Sequence, residues 1–230
     1  MAKILNVAHR GFTKEFPDNT LEAFEAAMKI PVDAIECDIH ETNDHHFIVH
    51  HDAELMGRNI SELSLAEVRA VKLRDRYRIP TLEETLELCG RRAILLLEIK
   101  QAQSLESFVK LVTARVKPAE VVLISFNRDI VVKLADIAPD IRRGIITAFG
   151  VDEPAAMVKS IKADAMVVRC PLATAKTVKE LRDSNISIYV WGCQDMRETR
   201  GKLRLDIDGM ISDFPDLVAK ELNKRCEFEI

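Results

Sequence analysis

Residues 93–100 read Ala-Ile-Leu-Leu-Leu-Glu-Ile-Lys, an apolar run that carries two charged side chains where it ends. A second run, residues 34–40, reads Ala-Ile-Glu-Cys-Asp-Ile-His and carries the charged side chains of Glu36 and Asp38. Nearly continuous Val, Ile and Leu are typical of strands covered on both faces, as in a parallel sheet. A buried unpaired charge costs several kcal/mol or neutralises itself. Charged pairs at the ends of such strands therefore predict a functional site.

Eight β-rich runs occur along the chain and alternate with helical patterns. They cover Ile4–Ala8, Ala34–His40, Ala93–Lys100, Val121–Phe126, Arg143–Thr147, Ala165–Cys170, Ser187–Trp191 and Gly209–Asp213. Eight β/α alternations in 230 residues predict an α/β fold of the (β/α)₈ TIM-barrel type. An open doubly wound sheet is the main alternative. It favours a glycine-rich turn after the first strand, where Gly11 stands alone.

Helices are predicted between the runs from the spacing of apolar residues and from capping residues. N-caps are expected at Thr20, Ser64 and Thr81. Further helices cover residues 104–116, 128–138, 154–162, 174–184, 195–204 and 215–224. Phe47–His51 predicts an extra strand in a small insertion between the second and third barrel strands, which returns His51 toward the site. No linker-like segment divides the chain, and we predict one domain over residues 1–230.

Composition excludes several classes of protein. A net charge of -4 without a Lys/Arg block argues against a nucleic-acid partner. No apolar stretch approaches the ~20 residues that cross a membrane, so stable membrane insertion is not expected. The start of the chain, Met1-Ala2-Lys3 and a short apolar run, lacks signal-peptide features and predicts a cytoplasmic protein. The cysteines, expected to be reduced packing residues, are Cys37, Cys89, Cys170, Cys193 and Cys226.

Three carboxylates on two strands form the strongest candidate site. Glu36 and Asp38 are two residues apart, so both face the same side of a strand, and Glu98 and Lys100 share that relation. In a barrel these faces can point inward at the C-terminal mouth. Carboxylate oxygens are hard ligands, so Glu36, Asp38 and Glu98 predict a site for Mg²⁺ or Ca²⁺.

Two histidines follow strand-like runs and are candidates for proton transfer. His9 ends the first run, beside Arg10 and Gly11, and His51 ends the inserted run. Histidine titrates near neutral pH, so such a pair is suited to acid and base roles. Gly11 is expected to let the chain turn without a side chain that would crowd the site.

An ordered series of motifs resembles the glycerophosphodiester phosphodiesterase family. The series comprises His9-Arg10-Gly11, Pro17-Asp18-Asn19-Thr20, Glu36-x-Asp38, His51-Asp52, Ile79-Pro80-Thr81-Leu82-Glu83-Glu84, Glu98-x-Lys100, Ser125-Phe126, Val190-Trp191 and Asp208–Pro215. No single motif is specific, but the ordered series spans nearly the whole chain.

This resemblance implies a barrel enzyme that hydrolyses small-molecule glycerophosphodiesters to sn-glycerol 3-phosphate and an alcohol. It implies a divalent metal, Mg²⁺ or Ca²⁺, on Glu36, Asp38 and Glu98. It also implies the acid/base pair His9 and His51, the phosphate-binding cations Arg10 and Lys100, and an aromatic wall at Trp191 near the substrate glycerol. It gives no oligomeric state.

Three departures from the family's pattern bear on the substrate. Asp18 stands where relatives usually carry Glu, and Gly192-Cys193-Gln194 replaces Thr-Val-Asn after Trp191. The segment from Asp52 to Pro80 is short, where many relatives carry a larger insertion that covers the glycerol end. A more open site is therefore expected.

Alternative functions are a phospholipase-type diesterase that releases a cyclic phosphate or accepts lysophospholipids, a Schiff-base aldolase that uses Lys100, and a non-catalytic phosphoester-binding barrel. The first needs an apolar mouth, for which the sequence offers no evident exposed loop.

Other polar residues are weaker candidates. Arg169 is expected to contact phosphate or form a surface ion pair. Supporting roles are expected for Ser125, Asp213 and Asp52. A solvated turn is expected at His45-His46. His40 and His50 lie beside the site candidates.

Overall fold

Eight parallel strands close into a barrel. The computed structural model describes residues 3–228, with side chains through residue 224. The barrel strands are β1 (Leu5–His9), β2 (Ala34–Glu41), β8 (Ile94–Gln101), β9 (Val121–Ser125), β10 (Arg142–Thr147), β11 (Ala165–Arg169), β12 (Ser187–Trp191) and β13 (Gly209–Ser212). Each pairs in parallel with its neighbours, and β1 pairs with both β2 and β13. The barrel prediction is confirmed, and the open-sheet alternative is wrong.

Helices follow the barrel strands and cover the outside of the barrel, except α2, which belongs to the insertion between β2 and β8. Their bounds are α1 (Leu21–Ala27), α2 (Leu65–Ala70), α3 (Leu82–Cys89), α4 (Leu105–Thr113), α5 (Arg128–Ile137), α6 (Pro154–Ser160), α7 (Ala175–Asp183), α8 (Met196–Leu203) and α9 (Pro215–Phe228). The predicted N-caps are confirmed, because the side chains of Thr20, Ser64 and Thr81 each accept a backbone N–H from the first turn. Such caps supply partners that the first turn otherwise lacks.

Alternation along the strands separates two apolar layers. On β2, Ile35, Cys37 and Ile39 pack outward in a core that includes Phe24 of α1. Inside the barrel a second core fills the axis with side chains from all eight barrel strands: Val7, Ala34, Leu96, Val122, Ile124, Ile146, Ala165, Val167, Tyr189 and Ile211. This is why the strands are apolar on both faces until they approach the mouth, where charged residues replace the inward apolar ones.

The insertion between β2 and β8 is a small subdomain with its own core. Strand β3 (Phe47–Val49) pairs antiparallel with β2, so the predicted extra strand is confirmed but ends before His51. Two hairpins were not predicted: β4 (Glu54–Leu55) with β5 (Arg58–Asn59), and β6 (Lys72–Leu73) with β7 (Tyr77–Arg78). Their strands are too short to show alternation. The insertion core consists of Ile48, Leu55, Ile60, Leu63, Val68 and Ile79.

Several predicted strands extend one residue too far at the mouth. Phe126 and Asp213 lie just beyond β9 and β13, and Cys170 begins a short 3₁₀ turn after β11. The chain turns away at these points to start the next helix, and Phe126 lines the pocket at the mouth. Met1, Ala2 and the side chain of Cys226 lie outside the described residues. Within residues 3–228, no helix is both long and apolar enough to cross a membrane.

Candidate active site

A pocket opens at the C-terminal mouth of the barrel, and its two halves differ in chemistry. Its volume is about 130 Å³. The charged half, from β1, β2, β8 and the insertion, consists of His9, Arg10, Glu36, His51, Glu98 and Lys100. The apolar half, from β9 to β13 and the loops that follow them, consists of Ile124, Phe126, Ile146, Val167, Trp191 and Ile211. Most of the predicted site residues therefore meet in one place.

The three predicted metal ligands form one buried group. Asp38 on β2 lies opposite Glu98 on β8, and Glu36 is two residues before Asp38. One oxygen from each carboxylate lies within 4.8 Å of the others. Burial, and then repulsion from Asp38 and Glu98, raises the pKa of Glu36 well above its usual range. Burial and repulsion from Asp38 likewise raise the pKa of Glu98.

Two cations balance part of this negative charge. Burial pushes the pKa of Asp38 up, but the guanidinium of Arg10 and the ammonium of Lys100 hold it below its usual value. Arg10 Nε lies 3.1 Å from Asp38 Oδ2, and Lys100 Nζ lies 2.8 Å from Glu98 Oε1. With all three carboxyls ionised, the two cations leave one negative charge unbalanced in the pocket. That charge attracts a further cation.

The donor set fits the divalent cation that the resemblance implies. Asp38 Oδ1 is buried and finds no hydrogen-bond partner among the described residues, although Lys100 Nζ lies 3.4 Å away as an ion pair. A buried carboxylate oxygen without a hydrogen bond is costly unless it binds a cation. Three carboxylates are hard-oxygen ligands, which suits Mg²⁺ or Ca²⁺ rather than a soft metal.

Asn19 is a site residue that sequence reasoning did not assign. Its Nδ2 donates to Asp38 Oδ2 at 2.8 Å, and its Oδ1 accepts the Asp38 backbone N–H at 3.2 Å. Asn19 has a φ of 56°, a left-handed conformation that Asn tolerates better than most residues. Its position in the Pro17–Thr20 motif, just before the N-cap of α1, was the available signal.

Each candidate histidine contacts a carboxylate through the same ring nitrogen. His9 Nδ1 lies 2.6 Å from Asp213 Oδ1, and His51 Nδ1 lies 2.8 Å from Asp52 Oδ1. A carboxylate at Nδ1 favours the tautomer with the proton on that atom and leaves Nε2 free to exchange protons. For His9 this Nε2 lies 3.8 Å from Glu36 Oε2. The supporting positions expected for Asp52 and Asp213 agree with this geometry.

Arg10 is held in a strained conformation that fixes its side chain. Its φ is 55°, and besides Asp38 its guanidinium contacts Asp18, whose Oδ2 accepts from Nη1 at 3.3 Å. Asp18 therefore orients a cation of the site. The next residue, Gly11, has a φ of 90°, and a Cβ there would lie 2.7 Å from the backbone of Ala23. The turn expected at Gly11 is confirmed, but a side chain there would meet helix α1.

An aromatic wall closes the apolar half of the pocket. The rings of Trp191 and Phe126 meet edge to face at 5.9 Å, and Lys100 Nζ lies 5.9 Å from the Phe126 centroid. Trp191 Nε1 donates to the carbonyl of Thr147 at 3.4 Å. Trp191 thus lines the pocket as expected. Phe126 joins it because the turn after β9 directs that ring into the mouth.

The remaining polar candidates lie outside the pocket lining. Arg169 is exposed at the end of β11, and Ser125 donates its hydroxyl to the carbonyl of Ile99. His40 Nε2 contacts the carbonyl of His51, and burial lowers the pKa of His40 to about 4, so its ring is neutral. His45 lies in an exposed turn, as expected. His50 is partly buried, and burial lowers its pKa.

Comparison with known proteins places this barrel among phosphoric diester hydrolases. The sequence model of the Glycerophosphoryl diester phosphodiesterase family matches residues 9–217. The chain therefore belongs to that family.

Individual relatives agree along almost the whole chain. The glycerophosphodiester phosphodiesterase of Caldanaerobacter subterraneus is 27% identical over 241 aligned residues, covering 96% of this chain and 99% of that protein. The crystal structure of glycerophosphodiester phosphodiesterase from Thermotoga maritima is 25% identical, with a TM-score of 0.81 and coverage of 96% and 99%. A phosphodiesterase from Oleispira antarctica, in complex with the product sn-glycerol-3-phosphate, is 20% identical and covers 94% and 96%. Its TM-score of 0.86 shows the same fold.

Proposed function

We propose that this enzyme hydrolyses glycerophosphodiesters to sn-glycerol 3-phosphate and an alcohol, with a divalent cation on Glu36, Asp38 and Glu98. The observation that carries the proposal is the buried group of three carboxylates, whose oxygens lie within 4.8 Å of one another beside two histidines. Membership of the family and the product complex of the Oleispira antarctica protein support the choice of substrate.

Positive charge in the charged half of the pocket would hold the phosphate. A phosphodiester anion resists nucleophilic attack, and the transition state carries additional negative charge. Arg10 and Lys100 line the pocket and would contact the phosphate oxygens. A bound Mg²⁺ or Ca²⁺ supplies further positive charge at the same place. The carboxylates that now pair with Lys100 would then be shared with the metal.

Proton transfer falls to the two histidines. One takes a proton from the attacking hydroxyl, and the other gives a proton to the leaving alkoxide, as in general acid–base catalysis. Asp213 and Asp52 hold the protons on Nδ1 of His9 and His51, so that Nε2 performs the exchange. The resemblance suggests that the substrate's neighbouring hydroxyl attacks first. A cyclic phosphate would form, and water would then open it with the proton roles reversed.

Lys100 is poorly suited to the aldolase alternative. A Schiff base needs a neutral amine. Burial lowers the pKa of Lys100, but Asp38 and Glu98 more than offset this and hold it above its usual value. The ammonium therefore stays charged at neutral pH, which favours an electrostatic role.

The test of metal dependence is a screen of glycerophosphocholine and glycerophosphoethanolamine, coupled to detection of glycerol 3-phosphate. We expect no activity in excess chelator and recovery with Mg²⁺, Ca²⁺ or Mn²⁺. Glu36→Gln should abolish the recovery. Glu41→Gln is the matched control, because Glu41 is buried on the same strand but accepts from the backbone of Gln103 and Ser104 outside the pocket. Full turnover in excess chelator would disprove the metal role.

The histidine roles are tested separately. His9→Ala and His51→Ala should each lower kcat by ~10²–10⁴-fold. His45→Ala is the control, since His45 is exposed and contacts Glu41 rather than the pocket. Circular dichroism of each variant reports folding. Near-normal kcat in both pocket variants would remove the histidines from the mechanism.

One observation favours a second candidate substrate class, monoacyl glycerophosphodiesters. Phe126, Phe149 and Phe214 follow β9, β10 and β13 at the mouth, and all are exposed, Phe149 by 82%. The expectation that no apolar loop is exposed at the mouth is therefore wrong. An acyl chain would lie over this rim, against the exposed rings. The loop that carries Phe149 is held at the end of β10, because the Thr147 hydroxyl donates to the carbonyl of Phe149 at 2.7 Å.

Phosphorus NMR with lysophosphatidylcholine and glycerophosphocholine distinguishes these substrates and reveals any cyclic product. If the rim binds acyl chains, Phe149→Ser should raise KM for the lysophospholipid several-fold and leave KM for glycerophosphocholine unchanged. No turnover of the lysophospholipid would exclude the second class.

A further inference from the structure

Two cysteines in the loops after β11 and β12 lie unusually close together. Cys170 follows β11 and Cys193 follows β12, and these neighbouring strands are in register at Arg169 and Trp191. The two Sγ atoms are 2.7 Å apart. Nonbonded carbon atoms ordinarily stay ~3.5–4.0 Å apart, and a disulfide bond is ~2.05 Å long.

A metal site explains this geometry less well. Glu198 completes a group of three possible ligands, with Oε2 3.7 Å from Cys170 Sγ. Two sulfurs on one zinc ion, with bonds of ~2.3 Å and tetrahedral angles, lie ~3.8 Å apart. The observed sulfur separation is shorter. Glu198 Oε2 also already accepts the backbone N–H of Gln194 at 2.8 Å.

We propose that Cys170 and Cys193 form a reversible disulfide when the enzyme is exposed to a hydroperoxide, which makes this pair a modification site beside the pocket. Cys193 is partly accessible, whereas Cys170 is 1% exposed. Cys193 is therefore the sulfur that meets the oxidant, and Cys170 is the one that resolves the intermediate.

The chemistry balances with hydrogen peroxide as the oxidant. The Cys193 thiolate attacks one peroxide oxygen, the O–O bond breaks, and a sulfenic acid and hydroxide form. The Cys170 sulfur then attacks the sulfenic sulfur, and the sulfenic oxygen leaves as water with the thiol proton. Two thiols lose two electrons, and the peroxide gains them. Burial, above all, raises the pKa of both thiols, so the reaction should accelerate as pH rises and more thiolate forms.

The new bond would restrain the aromatic wall. Gly192, between Trp191 and Cys193, has a φ of 70°, and a Cβ there would find only Arg169 Cγ, at 3.8 Å. The backbone therefore has room to move at Gly192 while the thiols are reduced. A disulfide would tie the residues after Trp191 to the end of β11.

Thiol titration of the purified full chain, before and after hydrogen peroxide treatment, tests the proposal. We expect the five thiols to fall by two. Peptide mapping of the wild type should recover Cys170 linked to Cys193, and dithiothreitol should restore both. Trp191 is the only tryptophan, so its emission should decrease on oxidation and recover on reduction.

Matched variants complete the test. Cys193→Ser and Cys170→Ser should form no intramolecular disulfide, whereas Cys89→Ala, which changes a buried cysteine outside the pair, should still lose two thiols. Any of three results overturns the proposal: the wild type keeps all its thiols, mapping shows a different pairing, or a bound zinc ion protects both sulfurs. Mapping on the wild type decides the question even if a variant fails to fold. None of these measurements depends on the hydrolytic activity.

Discussion

Neutralising Glu36 should stabilise the metal-free protein while abolishing its activity. Glu36 is 2% exposed and faces Asp38 and Glu98, so its charge is both desolvated and repelled. Glu36→Gln keeps the shape and an oxygen that can accept the Arg10 backbone N–H, which Glu36 Oε2 now accepts at 3.2 Å. The substitution therefore removes the repulsion with little loss of hydrogen bonding.

The magnitude follows from the geometry of the group. At the 4.8 Å limit of the oxygen separations, each pair of charges costs about 3.5 kcal/mol at an effective dielectric constant of 20. Arg10 offsets part of this cost, and Glu36 escapes part of it by binding a proton. We expect a net gain of about 1–2 kcal/mol, because desolvated charges lose several kcal/mol of hydration without full compensation. For a chain of this size that corresponds to a Tm increase of about 2–8 °C.

The pH dependence of stability provides a second check on the direction of the change caused by Glu36→Gln. The folded-state pKa of Glu36 is raised, so above the unfolded value near 4.5 the folded protein binds more protons than the unfolded protein. This contribution to stability is present below the unfolded pKa and is lost as pH rises through the folded pKa. The stability of the metal-free wild type should therefore fall relative to Glu36→Gln as pH rises above the unfolded value near 4.5.

Thermal unfolding in excess chelator measures both effects. Glu41→Gln is the matched control, because Glu41 accepts two backbone N–H groups, one of them from Ser104 at 2.9 Å. Its substitution should lower Tm. Saturating Mg²⁺ or Ca²⁺ should stabilise the wild type and remove the advantage of Glu36→Gln. A Tm for Glu36→Gln at or below that of the wild type in chelator would refute the reasoning.

Three further substitutions test how the site is held. Asp213→Asn should lower kcat by ~10²–10⁴-fold with little change in KM, because the His9 tautomer is no longer fixed; an unchanged kcat and pH profile would contradict this. Asn19→Ala should weaken metal binding ~10–100-fold in a calorimetric titration, since Asp38 loses both hydrogen bonds, and an unaltered titration would exclude that role. Gly11→Ala should lower the free energy of unfolding by more than about 2 kcal/mol, measured with urea, because a Cβ meets the α1 backbone at 2.7 Å; a smaller loss would mean that the helix yields.

The buried group of carboxylates was predictable because strand geometry is local. Two residues two apart on a strand must face the same way, which placed Glu36 with Asp38 and Glu98 with Lys100. The wall residue Phe126 was not assigned, because its direction depends on where the chain leaves β9. The same limit applies to Phe149, whose exposure depends on how the loop after β10 lies over the mouth.

Asn19 and Asp213 show a second limit. Each acts by contacting a residue far away in sequence: Asn19 contacts Asp38, and Asp213 contacts His9 at the other end of the chain. Hydrogen-bond partners of this kind carry no periodic signal. The motif around Asn19 and the strand end at Asp213 indicated only that these positions lie near the mouth.

By itself, the sequence determined the barrel and the charged strand ends, because strand and helix periodicity and capping are local properties of the chain. Only the tertiary structure decided which charges are neighbours. It brought three carboxylates within 4.8 Å, gave each histidine a carboxylate, and placed Cys193 beside Cys170. Barrel closure pairs β1 with β13, and burial then sets how strongly the gathered groups interact. These distances and this desolvation arise only when the strands meet, so they are properties of the closed barrel.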